Sequence, residues 1–204
     1  MNEICARKGL AIIADEVFLD YPLTAQSPLE SLVANIGTLT FVLSGLSKIC
    51  GLPQMKVAWI ATNGPVEQKR EALARLEVIA DTYLSMNAPL QFALPTLLDL
   101  RRDFQEQLKQ RVRKNSVELD RQLAANSSQT CRKLEVEGGW YAVLKVPATQ
   151  SDEELAIALV EKQSVIAHPG HFFDFDSDGY LILSLITPEG QFAEGIKRIL
   201  AAVA

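Results

Sequence analysis

Gly9-Leu10-Ala11-Ile12-Ile13-Ala14, followed by Asp15-Glu16, is the stretch that decides the fold class. An unbroken apolar run of this length reads as a strand buried on both faces. Ahead of it, Asn2–Lys8 reads as the end of a helix closed by Gly9, since glycine adopts the left-handed backbone that ends helices at little steric cost. Helix, glycine and then a buried strand is the order found in α/β architecture. Two further strands are expected at Thr38–Ser44, led by Gly37, and at Val57–Thr62, closed by Asn63-Gly64. Pro65 then opens a helix, where its missing donor costs nothing, and Val66, Leu73, Leu76, Ala80 and Leu84 recur at helical spacing. Pro89–Asn126 is expected to be mostly helical, with Phe104, Leu108, Val112, Leu119 and Leu123 as its apolar stripe.

The pattern changes after Asn126-Ser127-Ser128. Short strands are expected at Leu134–Val136, Trp140–Val146, Val165–Ala167 and Tyr180–Ile186. Ser151 and Glu154 form a capping box for a helix over Asp152–Gln163, and Thr187-Pro188 starts a last helix running to about Val203. This part reads as an α+β module distinct from the first hundred or so residues.

Composition narrows the class of function. The chain has 204 residues, enough for one large domain or two small ones. It carries 20 Lys and Arg against 25 Asp and Glu, and a net charge of −5 does not make the basic footprint of a nucleic-acid binder. The arginines of 101–121 alternate with Asp103, Glu106, Glu118 and Asp120, which reads as a solvated helix face. No apolar run approaches a membrane span. Three widely spaced cysteines (Cys5, Cys50, Cys131) make neither a disulfide framework nor a zinc site. With no export signal at the start, the expected compartment is the cytoplasm.

Candidate chemistry begins at Asp15, placed where a buried strand ends; in open α/β sheets ligands bind beyond such ends. Read alone, an acid in this position is more often a solvated loop residue. Ser44-Gly45-Leu46-Ser47-Lys48-Ile49-Cys50-Gly51-Leu52-Pro53 again follows a buried strand. A lysine among small and apolar residues can be desolvated into a nucleophilic amine, although a lone lysine is usually a surface residue. Asp174-Phe175-Asp176-Ser177-Asp178-Gly179 matches the first half of a calcium loop, but the twelfth position is Leu185 where a glutamate is needed, so an acidic turn is expected. His168 and His171 have no third ligand in sight and read as loop residues near a site; no metal site is expected.

Taken together, Ile13-Ala14-Asp15-Glu16-Val17-Phe18 and Ser47-Lys48-Ile49-Cys50-Gly51-Leu52-Pro53 resemble the fold-type I aminotransferases of classes I and II, which use pyridoxal 5′-phosphate (PLP). Gly138-Gly139-Trp140-Tyr141 and His168-Pro169-Gly170-His171-Phe172-Phe173 are similar to that family's small-domain landmarks, in the right order. The resemblance implies an α/β fold: residues 1–100 would be the C-terminal portion of a large PLP-binding domain, with a mostly parallel sheet. Residues 101–204 would be a small α+β domain with its leading long helix. It implies that Lys48 forms a Schiff base with the cofactor and moves a proton, while Asp15 pairs with the pyridine nitrogen so that the ring serves as an electron sink. Ser44, Ser47 and Lys56 would lie near the phosphate. Phe18 stands where the family has a tyrosine that contacts the cofactor's phenolic oxygen.

Other departures are specific. Lys56 replaces an arginine, keeping the charge without the bidentate fork. Gln54 replaces a small residue, and Gly45 stands where some members carry a phosphate-binding serine. Ile182 occupies the place of the arginine that binds the substrate carboxylate. The first half of the family's chain, with its glycine-rich phosphate segment, ring-stacking aromatic and cofactor-binding Asn, has no counterpart in this sequence, so the expected site is incomplete. The resemblance implies amino-group transfer between an amino acid and a 2-oxo acid, and a homodimer. The alternatives are a PLP-dependent lyase or decarboxylase, and a non-catalytic oligomerisation or interaction fragment.

Overall fold

Gly9 adopts φ 64° and ψ 31° and ends α1 (Asn2–Lys8), as its position in the sequence requires. The Leu10 amide still donates to Cys5 O at 2.9 Å, so the strand starts later than the apolar run does. In the computed structural model, which describes residues 1–24 and 29–203, β1 is Ile12–Asp15. The chain divides into two compact units, Met1–Gln105 and Glu106–Ala204.

The first unit holds a three-stranded sheet in the order β1-β2-β3, with β2 at Thr40–Gly45 and β3 at Ala58–Asn63. β1 and β2 are parallel, from Ile12 beside Thr40 to Asp15 beside Leu43. β3 returns antiparallel to β2, with Gly45 opposite Ala58. A parallel return needs a full crossover; this connection contains only the single helical turn α2 (Leu46–Ile49) and a 3-10 turn at Pro53–Met55. Side chains alternate across a strand, and the burial follows suit: Ile12 and Val42 are buried, whereas Ile13 is 70% exposed. Pro65 caps α3 (Val66–Asp81) from just outside the helix. The expected long helix is two, α4 (Ala88–Asp99), capped by the Asn87 side chain, and α5 (Arg101–Ala125). α4 contains Pro95, which has no amide to donate to the helix ladder.

In the second unit β4 (Arg132–Lys133), β5 (Tyr141–Lys145), β6 (His168–Pro169) and β7 (Tyr180–Ser184) form an antiparallel sheet in the order β4-β5-β7-β6. The third strand falls on His168–Pro169 rather than Val165–Ala167. It lies at the sheet edge, where a proline removes no interior ladder bond. Ala142, Leu144, Leu181 and Leu183 are buried with Leu155 and Leu159 of α6 (Asp152–Gln163) and with Phe192, Ile196 and Ile199 of α7 (Glu189–Ala202). The capping box of α6 forms as the sequence predicts.

Two buried polar residues tie this core together. Asn115 sits in the apolar stripe of α5 between Val112 and Leu119, 1% exposed, and its amide donates to Leu185 O and Thr187 O at 2.8 and 2.7 Å. The Asp152 carboxylate accepts the backbone amides of Gly170, Gly179 and Tyr180, joining α6 to both sides of the acidic turn. The exposed Arg121–Glu118 pair fits the solvated helix face, and the Arg121 and Gln122 hydrogen bonds hold the Glu118 carboxyl down at about 2.

Removing the shared acceptor strands buried donors. Asp152→Ala is expected to destabilise the second unit by about 3 kcal/mol. With Trp59 replaced by Phe, Trp140 fluorescence in urea reads that unit alone.

Candidate active site

Parallel strands leave the sheet on the same side, so the chain beyond β1 and the chain beyond β2 emerge together. Asp15 is the last residue of β1, and the Glu16 amide closes the ladder on Leu43 O at 3.0 Å. Two residues past Leu43, Gly45 leads directly into α2, whose third residue is Lys48. The Asp15 carboxylate is solvent-exposed, and its Oδ1 accepts the Val17 amide at 3.1 Å, which orients the group from its own turn. That turn delivers Phe18, and the Lys48 Nζ stands over the Phe18 ring, 5.4 Å from its centroid. A cation over a ring face at this range is attracted by the ring's quadrupole.

Ser44 pairs with Trp59 across the β2–β3 ladder, on the face of Thr40 and Val42, and Asp15 shares the opposite face with Ile13. Ser47 precedes Lys48 in the same turn. Lys56 closes the Pro53–Met55 turn with φ 54°, a left-handed conformation uncommon outside glycine. The Leu46 amide donates to Val57 O at 3.0 Å, so the backbone at Lys56 adjoins the start of α2. Gly45 is the hinge of this approach: a Cβ there would lie 2.7 Å from Val57 O and 3.0 Å from Ala58 Cα. A side chain at position 45 therefore collides with β3. Gly51 combines φ 65° with the Phe104 ring packed where its Cβ would be.

The turn carrying Lys48 is held from outside itself, through residues the sequence reading passed over. Tyr21 Oη donates to Lys48 O at 2.8 Å, and Gln105 Nε2 donates to Ile49 O at 3.1 Å and to Asp20 Oδ2 at 3.0 Å. Gln105 had a legible signal, since with Leu108, Val112, Asn115 and Leu119 it continues the buried stripe as a polar interruption. Burial, then the neighbouring Asp20 carboxylate, pushes the Tyr21 hydroxyl well above the usual tyrosine range, so it stays a donor. Burial also raises the Cys50 thiol, against a smaller opposing pull from Arg101. Glu16 accepts from Ser31 Oγ at 2.6 Å and from the Leu32 amide at 2.7 Å, anchoring the segment that leads towards β2.

Ile182, His168 and His171 lie in the second unit. Ile182 is 2% exposed and pairs with Val143 on one side and His168 on the other. In the acidic turn, Asp178 Oδ1 accepts the Asp152 amide. Among the described residues no three His, Cys, Asp or Glu side chains gather as a metal site would require, and no helix is long and apolar enough to cross a membrane.

The donor set suits PLP chemically. It comprises a primary amine, a carboxylate able to face a pyridinium nitrogen, and hydroxyls with a cation for a phosphate.

Comparison with known proteins points the same way. Residues 1–199 match the family model for aminotransferase class I and II. A glutamate-pyruvate aminotransferase, AlaA, of Haemophilus influenzae is 24% identical over 208 residues, covering 97% of this chain and 50% of its own. The fold is similar to LysN, the α-aminoadipate aminotransferase of Thermus thermophilus, solved with N-(5′-phosphopyridoxyl)-L-leucine. That match has TM-score 0.81 and 21% identity, over 99% of this chain and 52% of that one. Aspartate aminotransferase from Thermotoga maritima gives TM-score 0.78 and 21% identity, over 98% and 49%. The chain thus spans about half the length of these relatives.

Because the Gly45 contact is with backbone, relief requires β2 and β3 to part. Gly45→Ala is expected to cost about 1–3 kcal/mol in the first unit, read from Trp59 fluorescence in urea with Trp140 replaced by Phe.

Proposed function

Since the chain belongs to the class I and II aminotransferase family, we propose that it supplies the lysine-bearing part of a PLP site serving amino-group transfer between an amino acid and a 2-oxo acid. The observation that carries this reading is the Lys48 amine poised over Phe18, beyond the parallel strand ends that also present Asp15. PLP, when bound, supplies an electron sink for charge developing at the substrate Cα. Lys48 would hold the cofactor through its aldehyde, and its Nζ, once freed, would move the proton of the substrate Cα. The Asp15 carboxylate, oriented by the Val17 amide, holds the pyridine nitrogen in its protonated form through a charge-assisted hydrogen bond. Phe18 offers the cofactor a ring face without the hydroxyl of a tyrosine. Ser44, Ser47 and Lys56 are assigned to the phosphate, Lys56 as a point charge.

Residues 1–100 are then the end of a large cofactor domain and 101–204 the small domain. The working assembly is a cytoplasmic homodimer.

A second reading, a PLP-dependent lyase or decarboxylase, draws on Ile182, whose burial leaves no cation for a substrate carboxylate at that position. Product analysis with amino acids separates the two: a new amino acid from an added 2-oxo acid marks transfer, whereas released CO2 or ammonia marks the alternative.

The direct test is borohydride reduction of the chain with PLP, followed by peptide mass analysis. One adduct on Lys48, absent in Lys48→Ala, is the expected result. Adducts scattered over surface lysines overturn the assignment and favour a non-catalytic interaction role. Asp15→Asn removes the charge from the nitrogen contact and is expected to weaken PLP binding at least about tenfold, measured by absorbance titration.

A further inference from the structure

We propose that Tyr21 and Gln105 are positioning residues that brace the turn bearing Lys48 and thereby set where its amine stands; this rests on the PLP reading of Lys48 given above. α2 is one turn of four residues, capped at its start by a glycine with no side chain to offer. A helix this short is not self-supporting, and its last carbonyls have no partners within it. Two of these carbonyls are met by side chains from elsewhere in the unit: Lys48 O by Tyr21 Oη at 2.8 Å, and Ile49 O by Gln105 Nε2 at 3.1 Å. Both donors come from well-buried residues, with Tyr21 2% exposed.

The brace also reaches the other half of the candidate site. Gln105 Nε2 binds Asp20 Oδ2 at 3.0 Å, and the Tyr21 amide donates to Phe18 O at 2.9 Å. Asp20 and Tyr21 thus continue the turn that starts at Asp15 and carries Phe18 under the Lys48 amine. One hydrogen-bonded loop, from Phe18 through Tyr21 to Lys48 and Ile49 and back through Gln105 to Asp20, holds the two segments in register. A lysine side chain is flexible, so fixing its backbone carbonyl is what restricts the space its amine can search. Because Tyr21 remains protonated through the ordinary pH range, the brace stays closed wherever an enzyme of this class would work.

Tyr21→Phe removes only the hydroxyl, and Gln105→Met removes only the amide; the second variant carries the test if the first melts. Without PLP, amide exchange at Cys50 and Leu52, which both donate to Leu46 O, is expected to quicken about tenfold. Exchange in β5 and β7 should not change. With PLP, the rate of borohydride-trapped adduct at Lys48, relative to the summed rate at all other lysines, is expected to fall about tenfold. A general loss of structure in the first unit would lower that ratio as well, but it would also quicken exchange in β1 and β2, which the proposal leaves unchanged. Wild-type selectivity in both variants overturns the proposal. If the unaltered chain traps nothing at Lys48, the PLP reading fails, and exchange alone decides the brace. Quickening in both variants then upholds it, and unchanged rates overturn it.

Discussion

Because β1 and β2 run parallel and in register as far as Asp15 beside Leu43, both segments leave the sheet on the same side. The placement of Asp15, Phe18 and Lys48 follows from this. Asp15 ends one strand, Lys48 stands in the first turn after the other, and Phe18 reaches the Lys48 amine from the Asp15 side. An antiparallel pairing of the same two sequences would send Asp15 and Lys48 to opposite ends of the sheet. The antiparallel return of β3 adds a second constraint, since it brings Val57 O so close to Gly45 that any Cβ there forces β2 and β3 to part.

Polar groups in buried places do comparable work in each unit. Asp152 gathers three backbone amides at the start of α6, and Asn115 holds the chain between β7 and α7. Gln105 and Tyr21 occupy the carbonyls that α2 cannot satisfy by itself. Each removes the cost of an unpaired buried backbone group, which exceeds the modest net gain of an ordinary hydrogen bond. Placed at element ends, these bonds fix where one segment stops and the next begins.

Much of this was legible in the residues. The apolar run before Asp15 and the glycine that opens it specified a helix end and a strand, and Ser151 with Glu154 the start of α6. The strand is buried only on the Ile12 face, however, with Ile13 70% exposed on the other. The apolar stripe of α5 was visible in its helical spacing. Strand ends were less so. Leu10 is as apolar as Ile12, yet a helix-end hydrogen bond from its amide keeps it out of the sheet. The third small strand falls on His168–Pro169, at an edge where a proline is tolerated.

By itself, the sequence determined the order of the elements, the two-part organisation of their patterns and the residue types on which a PLP chemistry would draw. Periodicity and turn residues act locally, so one chain segment is enough to read them. The tertiary structure alone decided that the sheet mixes a parallel with an antiparallel pairing, that Phe18 lies beneath the Lys48 amine, and that Tyr21 and Gln105 close the turn around it. These are contacts between residues far apart in the chain. Their geometry depends on strand direction and burial, which no local pattern encodes.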